Sequence, residues 1–187
     1  QLLKKTYTLL TPQEKKQYYA INPNLQGSAV FTQKNAPLLD NFWKKLQTVS
    51  NLSFQAKTKS KEEIGCNGKG EGEVFIYTEG DTRLIFQEKG SWRDPQGTEF
   101  NFSNIFRWTL DRKAGVISLE HLRRGVDHPV FLFHLAPNTQ GGLSSLDSHL
   151  CEADSYFGKI HLDRLGLKLS WRVIGPKKNE EIEYYYQ

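Results

Sequence analysis

The strongest constraint on this chain is an alternation of apolar and polar residues that starts near Leu52 and continues to Tyr186. Short segments of period two are separated by turn residues, and no amphipathic helical pattern runs between them. Neighbouring strands in such a series pair antiparallel, and a long enough series closes on itself. We therefore predict an all-β fold in which one antiparallel sheet forms a barrel.

Nine segments are predicted strands, and hairpin turns are expected between several of them. Segments 79–81 and 163–166 contain the residues of such turns, because glycine supplies the positive φ that tight hairpins need. The predicted strands are Leu52–Thr58, Glu73–Thr78, Arg83–Lys89, Phe100–Leu110, Val116–Leu122, Val130–Leu135, Tyr156–Leu162, Leu167–Ile174 and Ile182–Tyr186.

Two glycine-rich segments are interpreted as irregular. Gly68–Gly72 resembles a phosphate-binding loop only superficially, because such a loop needs a helix directly after the glycines and here a strand follows. We predict a mobile turn or a bulge there. Pro137–Asp147 is predicted to be a long flexible loop, and a barrel could carry a gate at that place.

The N-terminal part of the chain differs in composition from the rest. Residues 1–36 are predicted to be a tail or linker, with a short helix opened by a capping box at Thr11. Residues 37–187 are predicted to form the barrel domain. Apolar residues three or four apart after Pro37 indicate an amphipathic helix that plugs one end of the sheet. In the alternative, Phe42 and Trp43 form a lid over a ligand.

Composition excludes several functional classes. The 25 basic and 21 acidic residues give a net charge of +4 but are scattered, which argues against nucleic-acid binding. No apolar run is long enough to cross a bilayer. Cys66 and Cys151 could form at most one bridge, so we expect a reducing, cytoplasmic setting. The start at Gln1 and the absence of methionine predict an excised piece, which leaves room for an upstream or partner domain.

A first group of candidate site residues lies in two neighbouring strands, at Arg107, Trp108, His121 and Arg123. If the second strand is extended, His121 and Arg123 continue its apolar face toward the barrel mouth. There they could hold the carboxylate or phosphate of a ligand. Alternatively, both residues pair with acidic neighbours and solvate the rim. Alternation places Arg107 on the opposite face from Trp108.

A second group contains the richest set of polar side chains, namely His149, Cys151, Asp154 and Tyr156. His149 and Cys151 could hold zinc together with His121, or could form a nucleophile pair with each other, but no second closely spaced motif supports a metal. We favour a buried thiol and hydrogen-bonded partners that fasten a loop to the barrel wall. Trp171 alternates with apolar residues and is predicted to face inward. The sequence does not identify a cofactor, and we expect no metal.

Four segments together resemble a family of uncharacterised small domains that is similar to lipocalins. The likeness covers roughly residues 38–187 and rests on the order of a His-x-Cys-x-x-Asp-x-Tyr element and a Gly-Pro-Lys element. It implies a lipocalin-like (calycin) β-barrel, and it brings no activity with it. Lys178 and Asn179 stand where the family often has an aspartate and an aromatic residue. The segments are Phe86–Gly90, Arg107–Trp108, His149–Tyr156 and Trp171–Lys177.

Our leading hypothesis is a barrel that binds a small molecule, anionic and partly apolar. One alternative is an enzyme of isomerase, lyase or hydrolase type, in which four residues act as acid, base or nucleophile. A second alternative is a protein-interaction module with a solid interior. The proposed enzymatic residues are His121, His149, Cys151 and Asp154. The proposed ligand-binding residues are Arg107, Trp108, His121, Arg123, His149, Cys151, Tyr156 and Trp171.

Overall fold

The computed structural model describes residues 28–58, 67–146, 149–151, 154–176 and 179–187. Within these ranges the chain forms one helix and eleven strands, so the predicted all-β antiparallel fold is confirmed. The helix predicted after Thr11 lies outside the described residues. The elements are α1 (Ser28–Leu46), β1 (Asn51–Thr58), β2 (Gly68–Glu79), β3 (Arg83–Arg93), β4 (Glu99–Asp111), β5 (Val116–His121), β6 (Val130–Pro137), β7 (Leu143–Ser145), β8 (His149–Cys151), β9 (Asp154–Leu162), β10 (Leu167–Ile174) and β11 (Asn179–Tyr186).

Ten strands close the barrel. Strands β1 to β7 pair in sequence order, β7 then pairs with β9, and β9, β10 and β11 lead back to β1. Every pair is antiparallel, as expected for strands joined by short connections. Strand β8 pairs with β9 near Tyr156, while β7 pairs with β9 near Ile160, so the two short strands share one edge of β9.

Helix α1 covers one end of the barrel, which we call the helix end. Its apolar face is buried in the same core as the strands, with Phe42 and Trp43 at 0% and 3% exposure. The Trp43 Nε1–H donates to the carbonyl of Asp81 in the β2–β3 turn, at 3.1 Å, and Asp40 pairs with Arg112 after β4. The predicted plug is confirmed, and these two rings belong to the core rather than to a lid.

The start predicted for this helix was wrong. Helix α1 begins at Ser28, and Pro37 lies inside it. A proline removes one backbone donor and strains the preceding turn, but it does not always end a helix. The boundary predicted between residues 36 and 37 therefore falls within α1.

The mobile turn or bulge predicted at Gly68–Gly72 is also wrong, because these residues begin β2 and pair in regular register with β1 and β3. Glycine is needed in these positions because neighbouring rings and strands leave no room for a Cβ. A Cβ on Gly70 would collide with the ring of Phe54, and one on Gly90 would lie 2.6 Å from the Cα of Gly72. We call the glycines of β2 together with Gly90 of β3 the bare wall. Because these residues have no side chains, large inward rings from neighbouring strands can lie against their backbone.

The predicted loop at Pro137–Asp147 contains a strand that the sequence pattern does not show. Leu143–Ser145 forms β7, which joins β6 to β9 and completes the barrel. The predicted hairpin turns are confirmed. Gly80 has a φ of 64°, and the Asp163 carboxylate accepts the backbone N–H groups of Leu165 and Gly166. In the described ranges no helix is long and apolar enough to span a bilayer.

Candidate functional site

The half of the barrel next to α1 is filled by side chains. Trp108 is 1% exposed and packs at 6.0 Å from the ring of Phe86, while Leu84, Ile117 and Leu135 are also fully buried. Close packing of this kind leaves no room for a ligand. Trp108 faces the interior, as predicted, but lies in this filled layer. Any binding space therefore belongs to the opposite half, which we call the far half.

The far half is surrounded by aromatic rings in contact with one another. The ring of Phe54 lies 5.3 Å from Phe102 and 5.5 Å from Tyr184, and Trp171 lies 5.6 Å from Tyr184. Such edge, stacked and tilted contacts stabilise a wall of rings beyond the area that they bury. Phe54, Phe102 and Trp171 remain partly exposed. We call the following set the aromatic lining: Phe54, Phe102, Phe106, Phe133, Trp171 and Tyr184.

His121 ends β5 at the rim of this lining. Its ring stacks on Phe106 at a centroid distance of 4.7 Å, and the side chain is half-buried. Burial and the nearby charge of Arg123 lower the pKa of His121, so the imidazole is neutral at neutral pH. Arg123 follows β5 and is exposed, and the described residues give it no ion pair.

The second predicted group lies at the same end of the barrel. Tyr156 is an inward residue of β9, partly buried against the core and paired with Val173 of β10. The backbone register places His149 opposite Tyr156 and Cys151 opposite Asp154. The structure thus brings His121, Tyr156 and Trp171 to one end of the interior, together with the backbone of His149 and Cys151.

Arg107 faces away from the interior. Its Nε lies 2.6 Å from Oε2 of Glu120, a carboxylate that is 2% exposed on the outer face of β5. The other carboxylate oxygen, Oε1, has no hydrogen-bond partner in the described part of the chain. This ion pair holds β4 and β5 together and leaves the Arg107 side chain outside the aromatic lining.

A buried serine and histidine beside this pair escaped the sequence analysis. Ser118 Oγ lies 2.7 Å from Nδ1 of His134 across β5 and β6, and their exposed fractions are 0% and 9%. A serine and a histidine at this distance could serve as nucleophile and base. A substrate cannot approach a serine with no exposed surface, so we interpret the contact as a structural hydrogen bond.

Glu88 is a second feature that the analysis missed, although its alternation with Leu84 and Phe86 could have revealed it. The side chain is fully buried inside the barrel. The hydroxyl of Tyr186 donates to Glu88 Oε1 at 2.7 Å, and the amide of Asn104 donates more weakly to Oε2 at 3.5 Å. Burial raises the pKa of Glu88 to about 7, and these two hydrogen bonds only partly oppose the effect.

This carboxyl should make stability depend on pH. The pKa of Glu88 is higher in the folded chain than in the unfolded chain, so its contribution is fully present below pH 4.5 and is lost as the pH rises through about 7. We expect the free energy of unfolding to fall by about 2 kcal/mol between pH 5 and pH 8 from this residue. Urea denaturation at both pH values measures the difference.

The matched variant for this prediction is Glu88→Gln. Glutamine keeps the shape and the acceptor for Tyr186 but cannot ionise. The free energy of unfolding of this variant should therefore fall much less between pH 5 and pH 8 than that of the natural sequence. An equal fall with pH in the variant and in the natural sequence would show that other groups cause the dependence.

A groove of about 760 Å³ lies beside the β3–β4 hairpin. Trp92 forms part of its wall, stacked on Phe100 at 4.8 Å. Charges of both signs surround it, and Arg93 is already paired with Glu99 at 3.1 Å. The groove therefore favours neither an anionic nor a cationic ligand. The lining residues are Gln55, Ala56, Lys57, Asn67, Gly68, Lys69, Gly70, Glu71, Ser91, Trp92, Arg93, Asp94, Pro95 and Glu99.

Comparison with known proteins supports the resemblance seen in the sequence at the level of a family. No curated protein matches the chain. A family model described as a family of unknown function (DUF6314) matches residues 46–187, which is most of the chain and includes all eleven strands. The match spans the barrel, the aromatic lining and the rim residues His121 and Arg123. The chain therefore belongs to the DUF6314 family.

Proposed function

We propose that the far half of the barrel binds a small molecule that is anionic and partly apolar. The observation that carries this proposal is the position of His121 and Arg123 beside the partly exposed aromatic lining. The rings supply apolar burial, and the rim supplies polar groups and a positive charge. A ligand with an apolar body and one negatively charged end fits both.

The rim is suited to an anion because its cation is available. Arg123 is exposed and makes no ion pair with the described residues, so a ligand carboxylate does not have to displace a protein carboxylate. Neutral His121 can donate one hydrogen bond to the same group. Tyr156 lines the same end, and we propose that His149 and Cys151 contribute to it as well, from their position opposite β9.

Binding of 2-naphthoate tests the proposal, because this probe combines a flat apolar body with one carboxylate. We expect saturable binding at neutral pH by equilibrium dialysis, and weaker binding of 2-naphthylmethylamine, which carries a positive charge on the same body. Arg123→Gln should weaken the binding of 2-naphthoate by about two- to fivefold, the effect of one exposed charge contact.

Arg172→Gln is the matched control, because Arg172 is exposed on the outer face of β10 and its loss changes the net charge equally. It should leave the binding of 2-naphthoate unchanged at moderate salt. Equal losses in the two variants would indicate a general charge effect, and tighter binding of the amine than of the carboxylate would contradict an anion site.

A further inference from the structure

One polar atom of the aromatic lining has no partner. The indole Nε1 of Trp171 is buried, and no acceptor lies within hydrogen-bond distance among the residues that the structure describes. An unsatisfied buried donor costs about 1–3 kcal/mol, and most buried polar groups in native proteins have a hydrogen-bond partner. The indole Nε1 of Trp108 in the filled layer is unsatisfied as well, but the Trp171 side chain is partly exposed at the aromatic lining, where a small shift of the ring brings Nε1 against an acceptor held inside the barrel.

Trp171 occupies the centre of the lining. Its ring contacts Phe106 at 6.0 Å, Phe133 at 6.1 Å and Tyr184 at 5.6 Å, which come from three different strands. The residue opposite it in β9 is Gly158, where a Cβ would meet the ring of Phe133 at 2.7 Å. The fold therefore leaves out a side chain so that these rings can meet.

His121 and Trp171 contact the same ring. Phe106 stacks on His121 at 4.7 Å and meets Trp171 edge to face at 6.0 Å. A neutral imidazole and an indole thus offer two N–H donors around one aromatic ring, and both are donors suited to oxygen. The charge of Arg123 lies on the His121 side of this arrangement.

We propose that Trp171 Nε1–H is the donor that selects the ligand, and that the ligand carries a carbonyl or carboxylate oxygen on an apolar body. This inference rests on the proposed function and names the chemical class of its ligand. The ligand oxygen accepts a hydrogen bond from Trp171, and His121 and Arg123 contact the same polar group of the ligand from the rim. Ligands without an oxygen acceptor gain only burial against the rings.

The variant Trp171→Phe tests this role, because phenylalanine keeps an apolar ring and removes the N–H. Three probes with one body are compared by equilibrium dialysis: 2-naphthoate, methyl 2-naphthoate and naphthalene. We expect the variant to bind both oxygen-bearing probes about tenfold more weakly, the effect of one hydrogen bond, and to bind naphthalene as the natural sequence does.

Two controls separate the donor from its surroundings. The melting temperature of Trp171→Phe should fall by no more than a few degrees, because the loss of an unsatisfied buried donor offsets part of the cost of the smaller ring. Trp92→Phe makes the same chemical change in the wall of the groove and should leave all three affinities unchanged.

The outcomes are distinguishable. A loss of affinity that is equal for naphthalene and for the two oxygen-bearing probes overturns the donor role and leaves only a packing role for Trp171. Unchanged affinities for all three probes overturn it as well. Failure of the natural sequence to bind any probe rejects the proposed function itself.

Discussion

Gly90→Ala should lower the free energy of unfolding by about 3 kcal/mol, at the upper end of the range for overpacked sites. The added methyl group would meet the carbonyl oxygen of Glu71 and would lie 2.6 Å from the Cα of Gly72. Both obstacles are backbone atoms of the paired strand, so no side-chain rotation can relieve the contact. Strands β2 and β3 would have to separate where they form the bare wall. Urea denaturation followed by circular dichroism measures the loss.

Ser91→Ala is the control for this prediction, since it changes the next residue of β3 and adds no atom. It should cost less than about 0.5 kcal/mol, as most partly exposed substitutions do. A Gly90→Ala protein as stable as the natural sequence would mean that the two glycines do not approach as closely as the structure shows.

Arg107→Met should cost about 3 kcal/mol, because the charge of Glu120 would then stay buried without its partner. Methionine keeps most of the apolar stem, so the loss reports on the ion pair rather than on packing. The Arg107 Nε contact at 2.6 Å is with Oε2, and Oε1 has no partner in the described residues. The free energy of unfolding in urea is again the measurement.

The double variant Arg107→Met with Glu120→Gln should recover much of this stability, because it removes the buried charge together with its partner. Both variants should bind 2-naphthoate as the natural sequence does. If Arg107→Met instead weakened binding and left stability intact, Arg107 would belong to the ligand site and not to the outer ion pair.

The period-two pattern was enough to predict the barrel and the direction of its inward residues. Leu167, Leu169 and Val173 are buried, and Trp171 points inward with them, as alternation requires. Most strand limits agree to within a few residues. The alternation thus predicts that Trp171 faces inward and that His121 lies toward the barrel mouth.

Other features depend on contacts that local sequence does not show. The glycines of β2 have the composition of a turn, and only the rings of Phe54 and Trp92 that pack against them explain why they lie in a strand. Strand β7 is three residues long in a segment of turn composition, and it exists because the edges of β6 and β9 need a partner. Neither feature can be deduced from the alternation of apolar and polar residues.

The polar interior was missed because pattern reading assigns charged residues to the solvent. Glu88 follows Leu84 and Phe86 on the inward face, and its partner Tyr186 lies 98 positions away in sequence. The contacts among Phe54, Tyr184 and Trp171 likewise join β1, β11 and β10 only after the barrel closes. Of the predicted ligand-binding residues, only Trp171 therefore belongs to the aromatic lining.

Titration of 15N-labelled protein with 2-naphthoate, observed at the indole N–H resonances, tests the central claim most directly. The chain has four tryptophans, and the structure places each of them in a different environment. Trp171 belongs to the aromatic lining, Trp108 to the filled layer below it, Trp43 to α1 and Trp92 to the groove. Tryptophan-to-phenylalanine variants assign the four signals.

We predict that the Trp171 indole resonance shifts saturably with added 2-naphthoate, while those of Trp43 and Trp92 stay in place. A shift of the Trp92 signal alone would move the site to the groove. If 2-naphthoate left all four signals unchanged at concentrations that saturate any binding seen by dialysis, the far half of the barrel would not be a ligand site.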